Sequence, residues 1–273
     1  MSGIRKLLVY LASISVCLVF LAPILWVINI SLKARADIFT WPPSVISFQP
    51  TLDNYASVLS TSGRFFGFLT NSLIAALIST VVALVIGSFA AFGLGGRRRR
   101  KSFAWTYWML SFRMMPPIVL IIPYYIILQR IGALGELWAI ALTHTIFSVA
   151  IVIWMMKNFF DEIPPEVEEA AIVDGASQWQ LFRLIALPIS KAALAASAIF
   201  AFLTSWNEFI FAIMLSNTGS QTVPVAISTF VGEVYVSWGE LAAATIVGIL
   251  PAMLFTFIGQ RYLLVGLAPG AVK

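Results

Sequence analysis

Six long apolar runs, at about 7–31, 68–94, 103–128, 138–157, 192–215 and 241–264, leave this chain few ways to fold. An α-helix needs about 20 apolar residues to cross the hydrocarbon of a bilayer, so each run predicts a span. Backbone groups in lipid must satisfy their own hydrogen bonds, which makes helices the default for runs of this length. The expectation is an all-α integral membrane protein with six transmembrane helices in a single domain, 1–273. Only 11% of the residues are charged and 60% are hydrophobic, whereas soluble domains carry about a quarter charged residues. That composition excludes an ordinary globular enzyme, and the short connections leave no room for a large soluble domain.

The basic residues follow topology and do not form a nucleic-acid-binding face. With the N-terminus inside, twelve of the 17 Lys and Arg residues fall on inner segments and four on outer ones, with Arg113 inside a span. Inner loops of membrane proteins carry the excess of Lys and Arg, so both termini are expected in the cytoplasm. The cluster at 97–101 reads as an anchor beside anionic lipid heads. It follows Gly95-Gly96, but Arg100 stands where a phosphate-binding loop needs glycine before the lysine. No other phosphate cradle is found, so the chain is not expected to hydrolyse ATP alone. Residues 7–31 exceed the apolar core of a signal peptide, about 7–15 residues, and predict a retained first span despite Ala34-Arg35-Ala36. The single cysteine, Cys17, allows no intrachain disulfide.

The longest inner segment, 158–191, has consistent local signals. Pro164-Pro165 suit a helix start, where a missing N–H costs nothing. Glu166, Glu168 and Glu169 follow in the first turns and complement the positive end of the helix dipole. Asp174-Gly175 predicts a stop, since glycine takes the left-handed conformation there. Ser177 and Gln180 have the spacing of a capping box that starts a second helix, which runs toward Leu187-Pro188. Ala170, Ala171, Gly175 and Ala176 keep the turn slim enough for another protein's backbone to approach.

Glu169-Ala170-Ala171, Asp174-Gly175-Ala176, Phe182 and Leu187-Pro188 resemble the EAA loop of binding-protein-dependent ABC importer permeases. The resemblance implies the type I ABC importer permease fold, with this loop as a cytoplasmic coupling helix in a cleft of a nucleotide-binding subunit. Glu168, Glu169, Ala170, Ala171, Asp174, Gly175, Ala176, Phe182, Leu187 and Pro188 are then the ATPase-coupling candidates. One departure is Ala192, where many relatives carry proline. Trp206-Asn207-Glu208-Phe209, Arg113-Met114-Met115-Pro116-Pro117, Pro42-Pro43, the segment 51–55 and the C-terminal 266–273 look like the carbohydrate-uptake branch. Within that branch the chain is similar to the six-span maltose-type second permease subunit. The resemblance implies a bacterial inner membrane and a heterodimer with a related permease. It implies two ATPase subunits that bind ATP and Mg, an external solute-binding protein, and a sugar or polyol as cargo. Glycerol or glycerol phosphate is the alternative cargo. No cofactor or metal in this chain and no catalytic residue are implied.

Polar groups at membrane depth are costly and usually face a cavity or a partner. Arg113, Pro116, Pro117, Asn207 and Glu208 are therefore candidates for the translocation pathway or its gate. Arg113 and Glu208 are a possible pair there, or alternatively an ion pair between packed helices. Pro116, Pro117 and Pro123 either free carbonyls toward a cavity or kink a packed helix. His144, without metal-type neighbours in sequence, reads as a hydrogen-bonded packing residue, with a proton relay as the alternative. Trp41, Trp105, Trp138 and Trp238 read as interfacial anchors. Thr222, Val223, Pro224 and Val225, in the last outer segment, are the binding-protein contact candidates by resemblance. The tail 266–273 either reaches the ATPase dimer or frays. An intramembrane enzyme would need convergent acid, base or metal groups at one depth, and a secondary transporter would show inverted repeats and paired broken helices. Neither pattern is present in the sequence.

Overall fold

The computed structural model describes residues 3–60, 64–95, 102–111, 114–232 and 234–266. Arg113, the basic cluster 97–101 and the tail from 267 lie outside the described residues. Helices dominate: α1 (Gly3–Ser31), α2 (Arg35–Ile38), α3 (Asp53–Ser60), α4 (Arg64–Leu94), α5 (Ser102–Ser111), α6 (Pro117–Arg130) and α7 (Leu137–Asp161). They are followed by α8 (Pro165–Val173), α9 (Gln178–Gln180), a π-helical turn at Leu181–Ala186, α10 (Leu187–Ile189), α11 (Lys191–Trp206), α12 (Ile210–Leu215), α13 (Val223–Ser228) and α14 (Trp238–Gly266). Among the described residues four helices, α1, α4, α7 and α14, are long and apolar enough to cross a membrane. The count is five if the segments Gln178–Ile189 and Lys191–Trp206, bent by 80°, are taken as one span.

Helix length alone therefore does not establish six spans. The third predicted span is divided between α5 and α6. The reason is local: Pro116 caps α6 with a non-helical ψ of 126° and Pro117 opens it, because a residue before proline is pushed out of the helical region. The fifth is divided between α11 and α12 by Asn207, Glu208 and Phe209.

The chain forms two compact units. One comprises Met1–Phe66 and Ala226–Leu250. In it Asn54 Nδ2 donates to the carbonyls of Ser31 and Lys33 at 2.9 and 2.8 Å, and Ser31 Oγ meets the Tyr55 hydroxyl at 2.8 Å. Gly239 leaves room for this amide: a Cβ at 239 would lie 2.4 Å from Asn54 Oδ1 and 2.7 Å from its Cγ, so the Asn54 side chain would have to shift. Ser57 donates to Glu240, and the Arg35 guanidinium lies 4.9 Å over the Tyr235 ring.

The other unit comprises Gly67–Val225 and Pro251–Lys273. Its spine is α7, whose residues Ile140, Val152 and Met156 are fully buried. Small residues let α11 lie close: Ala193, Ala196, Ser197 and Ala201 are also fully buried, the small-residue packing expected where helices associate in lipid. Ser148 Oγ reaches the Ala201 carbonyl at 3.4 Å and Ser79 Oγ at 3.5 Å. Phe202 stacks on Phe255 at 4.1 Å. Phe211 of α12 packs edge-on against Tyr124 and at a tilt against Phe147.

Candidate functional site

The loop after α7 folds as two capped helices around a slim turn. Pro164 is the N-cap of α8 and Pro165 its first residue, with Glu166 and Glu168 in the first turn. At the other end Ala176 N–H donates to the Ala171 carbonyl at 2.9 Å and Gly175 N–H to the Ile172 carbonyl at 3.0 Å. That pair of bonds is a Schellman termination, which needs a left-handed residue between its donors. Gly175 supplies it with φ +83°. A Cβ built there would meet nothing within 4 Å among the described residues, so the turn is open to them.

The second helix starts on a complete capping box. Gln180 N–H donates to Ser177 Oγ at 3.3 Å, and Ser177 N–H donates to Gln180 Oε1 at 2.8 Å. The following residues widen into the π-helical turn, in which Leu187 N–H bonds back to the Phe182 carbonyl. The sequence did not reveal this widening. It falls immediately before Pro188, whose missing N–H already interrupts the regular ladder. The chain then turns by 80° into α11.

The predicted coupling residues separate into two sets. Glu169, Ala170, Asp174 and Gly175 are exposed, Glu168 and Ala176 are partly exposed, and Ala171 is buried. Val173 beside them is 86% exposed, an apolar apex residue that sequence reasoning missed because it sits in an otherwise small and acidic turn. Phe182, by contrast, is 4% exposed. Its ring lies 4.6 Å from Phe89, 5.2 Å from Phe92, 5.7 Å from Trp179 and 6.5 Å from Phe160. Phe182 thus fastens the second helix to α4 and α7. Leu187 packs against the same cluster and Pro188 is exposed. A cleft of about 790 Å³ lies alongside α8, lined by Gly93 at the end of α4 and Gly95 just after it, by Asp161 and Glu162, and by Glu168 and Glu169.

A second polar centre sits at the break between α11 and α12. The Glu208 carboxylate accepts the N–H groups of Phe211 and Ala212 at 2.9 and 3.0 Å, so it caps α12. His144 of α7 brings Nε2 to 3.1 Å from Glu208 Oε2, in ion-pair range but without the alignment of a hydrogen bond. Its Nδ1 meets Ser205 Oγ at 2.8 Å. His144 is fully buried, in accord with a hydrogen-bonded packing role. Arg113, the sequence-derived partner for Glu208, is outside the described residues, and Ser205 carried no signal in sequence. Asn207 is exposed, donates to the Leu203 carbonyl at 2.8 Å, and lines a cavity of about 760 Å³ with Trp154, Phe200 and Thr204. Pro116 and Pro117 sit apart from this cavity's lining, at the start of α6.

The predicted binding-protein segment is a short helix and its lead-in. Thr222, Val223 and Val225 are buried and Pro224 is partly exposed. Val223 N–H donates to Ser72 Oγ at 2.7 Å, and Asn71 Nδ2 holds the Gly219 and Gln221 carbonyls.

Residues 83–264 match the family described as binding-protein-dependent transport system inner membrane component. A probable ABC transporter permease protein of Sinorhizobium fredii is 32% identical over 98% of this chain and 96% of its own. A trehalose transport system permease protein of Mycobacterium tuberculosis is 34% identical over 93% and 92%. A trehalose/maltose transport system permease protein of Thermococcus litoralis is 28% identical over 99% and 98%. Among solved structures, a chain of a bacterial ABC transporter involved in the import of the acidic polysaccharide alginate matches with a TM-score of 0.73. That likeness has 20% identity over 96% of this chain and 98% of the other, and shows the fold.

Proposed function

The chain belongs to the binding-protein-dependent transport system inner membrane component family, and on that premise we propose that it carries a sugar or polyol across the inner membrane, driven by ATP hydrolysis in a partner chain. As a member it is the permease component of an ABC importer, a multi-pass membrane subunit that is not itself an enzyme. That membership displaces the intramembrane enzyme and the secondary transporter as readings.

In the proposed cycle the chain pairs with a related permease, and two ATPase subunits bind ATP and Mg on the cytoplasmic side, where both termini lie. An external solute-binding protein delivers the cargo to the opposite side, near the segment holding Thr222, Val223, Pro224 and Val225. The apex formed by Glu169, Ala170, Asp174, Gly175 and Ala176 enters a cleft of the ATPase. Ala171, Phe182 and Leu187 hold the apex to the membrane helices, and Pro188 stands just before the turn into α11. Closure of the ATPase pair moves this lever and rocks α7 and α11. Arg113, Pro116, Pro117, Asn207 and Glu208 line the pathway or its gate. Sugar-transport names among the relatives support the cargo class.

The observation that carries the coupling role is the exposed turn with its own stop and start. A Schellman termination and a capping box flank a glycine that the described residues leave uncovered. The test replaces Glu169 and Gly175 with arginine in the co-expressed complex. Loss of ATPase co-purification and of ATP-driven uptake, with membrane insertion intact, is expected; ATPase binding that survives both changes overturns the coupling reading. Uptake measured with maltose, trehalose, glycerol and glycerol phosphate separates the cargo from its alternatives.

A further inference from the structure

We propose that the loop 39–48 after α1 is a strap immersed in the lipid interface at the end of the first span, held there by Lys33. The inference rests on the membrane location of the chain and on neither the cargo nor the ATPase reading.

From 38 to 52 the sequence carries no charged residue. Within it Phe39 is 69% exposed, Trp41 90% and Ile46 90%. A water-facing loop would place these aromatic and branched side chains in solvent at a cost proportional to their apolar area. The hydrogen bonds show where the strap lies. Asn29, within α1, donates from Nδ2 to the Val45 carbonyl at 2.8 Å. The Lys33 ammonium donates to the Ser44 carbonyl and sits 5.8 Å over the Trp26 ring and 5.0 Å over the Phe48 ring. Residues 44–48 therefore run back beside the last turns of α1, at the level of Trp26.

At that level α1 presents apolar surface that the described residues of this chain leave uncovered. The apolar window of α1 is not buried at all within the chain, and Phe20 and Leu25 remain exposed up to Trp26. The strap continues this apolar surface, which argues for acyl chains and headgroups as its neighbour. Its backbone suits the interface. Pro42 and Pro43 have no N–H to leave unsatisfied, and the carbonyls of Ser44 and Val45 are already occupied. Lys33, 2% exposed, places its charge on ring faces and a carbonyl, an arrangement that desolvation strengthens. Full entry into the hydrocarbon would strand the remaining polar backbone groups, so the strap lies at the headgroup boundary, where Trp is enriched.

The test uses the full chain with its co-expressed subunits in liposomes. Cys17→Ser removes the one cysteine, and a spin label is placed through Ile46→Cys or, separately, Phe39→Cys, with exposed Thr218→Cys as the aqueous reference. The expected result at both strap positions is strong collision with oxygen and several-fold weaker collision with a water-soluble nickel chelate than at 218. Nickel access equal to that at 218 overturns the proposal. So does a label that is nickel-accessible until a solute-binding protein is added and immobilised afterwards, which would make the strap a protein contact. Two label sites keep the test decisive if one variant fails to insert, and uptake is measured separately so that a failed transport reading leaves this result intact.

Discussion

His144 of α7 and Glu208 of the break after α11 meet at 3.1 Å, and the same carboxylate caps α12. One side chain thus ties together three helices at the point where a membrane segment is interrupted. A helix start in a low-dielectric setting leaves its first N–H groups unsatisfied unless an acceptor is supplied, and Glu208 supplies two acceptor oxygens.

Removing either partner should loosen this junction. Glu208→Ala is expected to cost more than the roughly 0.5–2 kcal/mol of a lost cap, because His144 then also loses its carboxylate. Glu208→Gln, which keeps an acceptor oxygen, should cost less. In a double-mutant cycle with His144→Ala, the two changes should be coupled by about 1–3 kcal/mol, as for residues in direct contact. Thermal unfolding of the purified complex checks this, and strictly additive losses would show that the pair does not act as a unit.

Gly175 separates backbone strain from partner contact. Its φ of +83° disfavours β-branched residues, and the left-handed region costs about 1–2 kcal/mol for a residue with a Cβ. Gly175→Val should therefore distort the turn itself. Asparagine tolerates the conformation, and among the described residues no atom lies within 4 Å of an added Cβ. Gly175→Asn should leave insertion and thermal stability near those of the parent while weakening ATPase co-purification. Normal ATPase binding by Gly175→Asn would mean that no partner backbone approaches this turn.

Phe182 should matter without facing the ATPase. It is buried among Phe89, Phe92, Phe160 and Trp179, and truncating a buried Phe to Ala costs about 3–5 kcal/mol. Phe182→Ala is expected to free the second loop helix, raising protease cleavage within 158–191 and lowering ATP-driven uptake. Phe182→Leu should retain most of both. If Phe182→Ala left cleavage unchanged, the aromatic cluster would not be the anchor of the lever.

The loop was readable in sequence because its signals are local. Pro165 at a helix start, Gly175 at a stop and the Ser177–Gln180 pair each act within four residues, and each takes its expected geometry in the fold. The long-range partners were not readable. His144 and Ser205 are separated by 61 positions, and nothing in either residue announces the other. Asn207 and Glu208 lie in an unbroken apolar context, so hydropathy predicts a continuous span where the helix is interrupted. Val173 and the π-helical turn escaped for a related reason: exposure of an apolar side chain, and a one-residue widening of a helix, depend on what packs nearby.

The approach of α4 to α7 offers the sharpest packing test. Gly87 faces Val152, and a Cβ at 87 would lie 2.6 Å from Val152 Cγ1 and 2.8 Å from its Cβ. Both distances are shorter than real contacts allow, and Val152 is fully buried, with its short branched side chain fixed near the backbone. Gly87→Ala should therefore push the helices apart and cost about 1–3 kcal/mol, the usual penalty of overpacking. Val152→Ala alone should also destabilise, by opening a cavity. When the two are combined, the added methyl at 87 takes up about half of the space vacated at 152, and the double variant should recover part of the stability and uptake lost by Gly87→Ala. Thermal unfolding of the three variants in detergent decides it: a double variant worse than Gly87→Ala would mean that the contact between these helices is not set by this pair.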